Sequence, residues 1–246
     1  MNYERFAYLY DQLMEEAPYD RWLEFTEQMI TEFLPGRKKV LDVGCGTGEI
    51  LLRLAKNGFE ASGVDLSNDM LTVAHEKLEK EGFHVPLFEL DMRDLQGLEP
   101  FDVIVSYCDS LNYLKEEADV QATFASFYDT LAEGGLLLFD VHSPYKIDVV
   151  FKDAVFADDE EECSYIWKSF AGEHPYSVEH ELTFFVQDEG GSYYRFEELH
   201  QQRTYTVERY HQFLEQAGFR VLVTYADFNE VVSEQSERIF FVAKKM

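Results

Sequence analysis

The stretch Val40-Leu41-Asp42-Val43-Gly44-Cys45-Gly46-Thr47-Gly48 decides how this chain is read. A short apolar run opens it and glycines close it, the pattern of a buried parallel strand that ends in a turn. Directly afterwards Ile50, Leu51, Leu54 and Ala55 fall on one helical face within residues 47–56, and Gly58 stands where a helix-ending glycine belongs. Glycine lets the backbone take φ > 0 and lets a ligand approach bare main chain. The first helical turn beyond offers unpaired N–H groups. A nucleoside-bearing ligand suits that device.

Spacing separates the options. A dinucleotide fold wants G-x-G-x-x-G/A, so that a pyrophosphate rests on the helix. Counting from Gly44, the third small position is 49, and it holds Glu49. An acid aimed at a pyrophosphate is unfavourable, so a phosphate-free ligand is preferred and dehydrogenase chemistry is set aside. No G-K-[ST] follows, which removes a Walker loop. Asp65 ends the next strand-like run, 61–65. A carboxylate there accepts hydrogen bonds from ribose hydroxyls; the plainer role is capping the helix that follows.

Working outward, Ser67 is an expected N-cap, with Leu71, Ala74 and Leu78 forming an apolar stripe behind it. Residues 85–90, 101–105 and 136–139 read as further strands, and Val120, Phe124, Phe127 and Leu131 are spaced as a buried helix face. The pattern changes after Pro144. Residues 163–170, 177–187 and 193–204 read as strands of an antiparallel insertion, with a tight turn at 188–192. Helical spacing returns at Tyr210, Phe213, Leu214 and Ala217, closed by Gly218, and 220–226 and 238–244 supply the last strands. Ahead of everything, 19–33 is an amphipathic helix with Trp22, Phe25, Met29 and Phe33 on one side; the acidic run 158–162 reads as a solvated loop. The expected fold is α/β: a doubly wound, seven-stranded, mostly parallel sheet with an antiparallel β insertion near residues 150–205.

Composition narrows the chemistry. Apolar content of 46%, with 21 Phe and 15 Tyr, supports a packed core. Neither a signal segment nor an apolar run of bilayer length is visible, so the expected compartment is the cytoplasm, with no membrane partner. Three scattered cysteines without C-x-x-C, and no H-E-x-x-H, give a metal site no support. Net charge is −27, from 48 acidic against 21 basic side chains. Nucleic-acid binding draws on Lys and Arg at phosphates, so such a partner is disfavoured, and a small neutral or cationic acceptor is preferred.

Three ordered motifs now carry a resemblance. V-L-D-V-G-C-G-T-G at 40–48, G-V-D-L-S-x-x-M-L-x-x-A at 63–74 and L-D-M-R-D-L at 90–95 resemble the class I, Rossmann-like S-adenosylmethionine-dependent methyltransferases. Within these the chain is most similar to the small-molecule, glycine N-methyltransferase-like branch. Y-x-x-x-A-x-x-Y-D at 3–11 and E-x-x-H-x-Q-R-x-Y at 197–205 resemble a bacterial subgroup of undefined substrate. The resemblance implies that S-adenosyl-L-methionine gives a methyl group to an N or O atom of a small molecule, leaving S-adenosyl-L-homocysteine. It implies an N-terminal helical lid (1–36), a cofactor domain (37–149 and 206–246) and a cap over the acceptor site (150–205), and it admits a homodimer. Carried over by position, Gly44, Cys45 and Gly46 pass under the cofactor's methionine and ribose, with Asp42 beside them. Asp65 holds the ribose hydroxyls, Leu66 and Met70 pack near the adenine, Asp91 accepts from its amino group and the Met92 N–H meets a ring nitrogen. Ser106 and Tyr107 supply backbone carbonyls near the sulfonium, and Tyr10 closes from the lid.

The acceptor side is less defined, and no general base is singled out. Asp109 is placed either to take a proton or to hold its own loop together. His142, past the fifth strand, is either a base or a satisfied loop histidine. His200, Gln202 and Thr204 alternate onto one strand face, with Arg203 and Tyr205 on the other; either face lines an acceptor pocket, with Arg203 suited to a carboxylate, or both are ordinary polar surface. Cys45 and Cys108 read as small buried residues. The loop at 106–113 departs from the [DNS]-P-P-Y of enzymes that methylate base amino groups. An RNA or protein methyltransferase, or a non-catalytic cofactor-binding module, are the alternative readings.

Overall fold

The computed structural model describes residues 11, 14, 17–159, 163–188, 190–228 and 230–246. The apolar run at the glycine turn forms β1 (Lys39–Val43), with Val40, Leu41 and Val43 fully buried. Helix α2 (Glu49–Lys56) follows and begins two residues later than its apolar spacing suggests, because Gly48 sits in the left-handed region at φ 82°. Then come β2 (Glu60–Asp65), α3 (Asn68–Lys80), β3 (Leu87–Glu89), β4 (Phe101–Ser106), α4 (Glu117–Thr130) and β5 (Leu131–His142). Ser67 caps α3, its Oγ accepting from the Met70 N–H at 3.3 Å. The chain closes with α5 (Val207–Gln216), β10 (Phe219–Ala226) and β11 (Arg238–Lys245).

These strands make one seven-stranded sheet in the order β10-β11-β5-β4-β1-β2-β3. All neighbours are parallel except β5/β11 and β10/β11. From β1 the chain winds outward through β2 and β3, then returns to lay β4 on the other side of β1. Strand order reverses there, so the carboxyl ends of β1 and β4 border the crevice where open α/β sheets bind ligands. Alternate residues of β5 serve opposite faces. Leu136 and Leu138 pack with Trp22, Phe25 and Met29 of α1 (Tyr19–Phe33) and with Leu51 and Leu54 of α2. Leu137 and Phe139 pack with Phe124 and Phe127 of α4 and Tyr210 and Phe213 of α5. Helix α1 is thus a layer of the core.

The insertion is a separate antiparallel sheet, β6-β7-β8-β9, from β6 (Val155–Asp159), β7 (Cys163–Ala171), β8 (Ser177–Gln187) and β9 (Tyr193–Arg203). Strand β6 is absent from the sequence reading. Four of its five residues are exposed, so it carries no alternation, and Asp158 and Asp159, read as the start of a solvated loop, complete it. No helix among the described residues is long and apolar enough to cross a membrane.

Candidate active site

Two backbone donors pin the glycine turn, the N–H groups of Gly44 and Cys45 reaching Val64 O at 2.8 and 3.0 Å. Gly44 has φ +75°, and a methyl group on it would lie 2.7 Å from Ser110 Oγ, so the loop after β4 presses directly on the turn. Above Gly46 none of the described residues lies within 4 Å of such a methyl. The turn therefore opens onto space on that side. Asp65 straddles it: Oδ2 accepts from Gly46 N at 2.8 Å and Oδ1 from Ser67 N at 2.9 Å. Each oxygen keeps a further acceptor position, and burial raises the carboxyl pKa in spite of these bonds.

Beneath the turn lie unanswered polar atoms. Asp42 is 2% exposed, and its Oδ2 has no hydrogen-bond partner among the described residues; neither has Ser106 Oγ at the end of the adjoining strand. Burial first, then the charge of Asp65, pushes the Asp42 carboxyl up to about 8. Buried polar atoms rarely remain unpaired. An orphan acid and hydroxyl at the switch point fit a ligand that brings a cationic donor. Just outside, Leu66 lays an apolar side chain open to solvent, 70% exposed, next to the ribose-binding candidate.

Other expected residues fall differently. Met70 packs with Cys163 and Phe184 of the insertion. Asp91 is held by Arg93, whose Nη2 donates at 2.6 Å while Nη1 reaches Asp119 at 2.8 Å. Met92 packs against the α4 side of the core, its Cε 3.8 Å from a methyl placed on Gly44. Tyr107 turns its ring into the core, its hydroxyl 2.8 Å from Thr26, and its carbonyl already accepts from Ser110 Oγ at 2.8 Å. Burial raises the thiols of Cys45 and Cys108, which leaves both unreactive near neutrality. Tyr10 lies outside the described residues. Its neighbour Asp11 accepts from Thr47 Oγ1 and pairs with Lys77 at 2.7 Å, which places Asp11 at the glycine turn. Lys77 also bonds Glu49 at 2.6 Å, and Arg53 pairs with the same acid, so the Glu49 charge is answered within the protein instead of standing free at the turn.

Asp109 is the joint of a network. It and Cys108 both adopt left-handed backbone, φ 54° and 53°. Its Oδ1 accepts from Arg238 Nη2 at 2.9 Å; its Oδ2 accepts from Gln202 Nε2 at 2.7 Å and lies 3.2 Å from His142 Nε2. Arg238 Nη1 reaches Asp140 Oδ1 at 2.9 Å, and Trp22 Nε1 donates to Asp140 Oδ2 at 2.6 Å. Burial would raise the Asp109 carboxyl, but the charges of His142 and Arg238 more than reverse this and hold it well below the usual range. So occupied a carboxylate positions its neighbours. The sequence reading missed Asp140 and Arg238; an acid within the apolar run of β5 was the one local sign.

The insertion is tied to this network. Asn112 donates to Arg203 O at 2.8 Å and accepts from His142 N at 2.9 Å, while Thr204 Oγ1 donates to His142 O at 2.6 Å. His200 meets Tyr113 through Nδ1 at 3.0 Å. Arg203 turns the other way, donating to Lys115 O at 2.6 Å and lying over the Tyr205 ring. His180, cross-strand partner of His200, accepts at Nδ1 from Trp167 Nε1 at 2.9 Å. Indole N–H only donates, so this imidazole is neutral with its proton on Nε2; burial, helped by His142 and His200, lowers its pKa to about 4. Among the described residues no cluster of His, Cys, Asp and Glu suits a metal ion.

A doubly wound sheet with a glycine turn, an acid closing the second strand and orphan polar atoms at its switch point defines a protein of the Rossmann-like class. Comparison with known proteins agrees. Residues 40–135 match a family model described as a methyltransferase domain. A protein of Geobacillus sp. (strain WCH70), provisionally described as a methyltransferase, is 53% identical over the full length of both chains. The dTDP-3-amino-3,4,6-trideoxy-alpha-D-glucopyranose N,N-dimethyltransferase of Streptomyces venezuelae is 29% identical over 76% of this chain and 77% of its own. The crystal structure of an S-adenosylmethionine-dependent methyltransferase from Clostridium acetobutylicum ATCC 824 superposes with TM-score 0.90 at 30% identity, covering 100% of this chain and 99% of that one. This chain belongs to the S-adenosylmethionine-dependent methyltransferase family. It is an enzyme, and its cofactor is S-adenosyl-L-methionine.

Proposed function

We propose that the enzyme methylates an N or O atom of a small molecule held between the glycine-turn crevice and the inner face of the insertion sheet. The observation that carries this reading is the docking of β9 onto the crevice's carboxyl edge: Gln202 bonds Asp109, and His200 bonds Tyr113. A polar-lined sheet fixed over the reacting end suits a small solute. The aminosugar acceptor in the name of the Streptomyces venezuelae relative supports the same class, as does a net charge of −27 that disfavours RNA. We place the chain in the glycine N-methyltransferase-like branch, with residues 150–205 as its acceptor cap.

When bound, the cofactor supplies a methyl group already activated by positively charged sulfur. In this reading Asp42 and Ser106 answer the cationic amino-acid end, Asp65 grips the ribose and Leu66 covers the adenine. Asp91 joins at the base while keeping Arg93, and Tyr10 closes from the N-terminal side. The remaining contribution is alignment and exclusion of water, which needs no covalent step by the protein. Calorimetry tests the reading: wild-type protein binds S-adenosyl-L-methionine, and Asp65→Ala weakens it about tenfold or more. Absence of binding by the wild type ends it. Tight, salt-sensitive binding of tRNA would move the acceptor to RNA.

A further inference from the structure

One acid on the inner face of the insertion has no role in the network above. Along β9, Phe196, Glu198, His200 and Gln202 turn the same way, while Arg195, Glu197 and Leu199 face solvent. Its neighbours fix where that face looks. Phe196 packs with Phe184 in the group that includes Met70, at the start of α3 beside Asp65. His200 reaches Tyr113, and Gln202 reaches Asp109. Glu198 lies between them, over the crevice, with Leu182 and then Trp167 as its cross-strand partners. The side chain is half-buried, and among the described residues no hydrogen bond or ion pair reaches it. Outward-facing Glu197, by contrast, pairs with Arg195. Burial alone raises the Glu198 carboxyl, with no cation opposing it.

We propose that Glu198 is the acceptor-binding carboxylate of this enzyme, and that its substrate is an amine arriving as an ammonium ion. The inference rests on the methyltransferase reading and names the acceptor for it. A half-buried acid without a counter-charge is costly, and a cationic substrate removes that cost where a neutral hydroxyl would not. Glu198 takes one N–H proton from the ammonium and so frees the nitrogen lone pair. That pair forms the new N–C bond as the S–C bond breaks with its electrons staying on sulfur. The methylated product leaves as an ammonium, and Glu198 returns its proton to solvent.

The test compares two ligands on the full chain: S-adenosyl-L-homocysteine, and sinefungin, in which an amine-bearing carbon replaces sulfur and puts an ammonium where the methyl departs. Wild-type protein should hold sinefungin about tenfold or more tighter than S-adenosyl-L-homocysteine. Glu198→Gln should abolish that preference and change S-adenosyl-L-homocysteine affinity by less than about twofold, which also reports that the variant is folded. An unchanged preference in Glu198→Gln, or equal weakening of both ligands, overturns the assignment and leaves the cofactor reading intact. Failure of S-adenosyl-L-homocysteine to bind the wild type removes that reading and this one with it, whereas wild-type protein that binds it but shows no preference for sinefungin overturns the Glu198 assignment alone.

Discussion

Asp42 holds its proton where most carboxylic acids have lost theirs, because burial and the neighbouring Asp65 disfavour its charge. The folded state therefore binds more protons than the unfolded state between the usual carboxylate range and about pH 8. Across that window Asp42 lowers stability as pH rises. A cationic ligand amine reverses the preference and ionises the acid, so binding below pH 8 releases a proton. Cofactor affinity should tighten from roughly pH 6 towards 8, and Asp42→Asn should flatten the dependence. Calorimetry in two buffers of different ionisation heat counts the proton directly; a count of zero would show that Asp42 does not meet the cation.

At the scale of the element, the glycine turn separates two effects that a sequence motif merges. Gly44 and Gly46 both have positive φ, but only Gly44 is crowded, with Ser110 Oγ 2.7 Å from the position of an added methyl. Gly44→Ala should cost about 1–3 kcal/mol of stability through overpacking, on top of about 1–2 kcal/mol for its left-handed backbone. Gly46→Ala should cost only the left-handed backbone term, about 1–2 kcal/mol, yet weaken cofactor binding because its methyl enters the open crevice. Denaturant unfolding and calorimetry on the pair distinguish these outcomes. Asn112 tests the joint between the sheets: it bonds His142 N and Arg203 O and is fully buried. Asn112→Ala should destabilise by about 1–3 kcal/mol, since both backbone groups lose a partner.

Over the whole molecule, the Asp109–Arg238–Asp140 network joins the loop after β4, the end of the β5/β11 pair where Arg238 faces His142, α1 through Trp22 and the insertion through Gln202. Arg238→Met leaves two acids without their cation and should cost about 3–5 kcal/mol in denaturant unfolding. A small loss would mean that water or His142 replaces the guanidinium. The pH sign follows from the depressed Asp109 carboxyl: its contribution is complete above the usual carboxylate range and is lost as pH falls below it. Acid unfolding of the wild type should therefore be steeper than that of Asp109→Asn.

The strand–turn–helix at 40–56, the acid closing β2 and the apolar faces of α1, α4 and α5 were legible in the sequence because each is a local pattern. Two-residue and 3.6-residue periods, and the φ > 0 that glycine permits, act over a few neighbouring positions. Strand β6 was not legible, since an edge strand with four exposed residues of five has no inward period to read. Nor was the state of the acids. Asp109 finds Arg238 at a separation of 129 residues, and Asp91 is engaged by Arg93. Glu198 differs from Glu197 only in the face that the β8/β9 register gives it. A carboxylate's partner and burial are set by what the folded sheets bring to it. Those contacts, which residue type and spacing do not encode, decided which acids were spent on structure and which were left for a ligand.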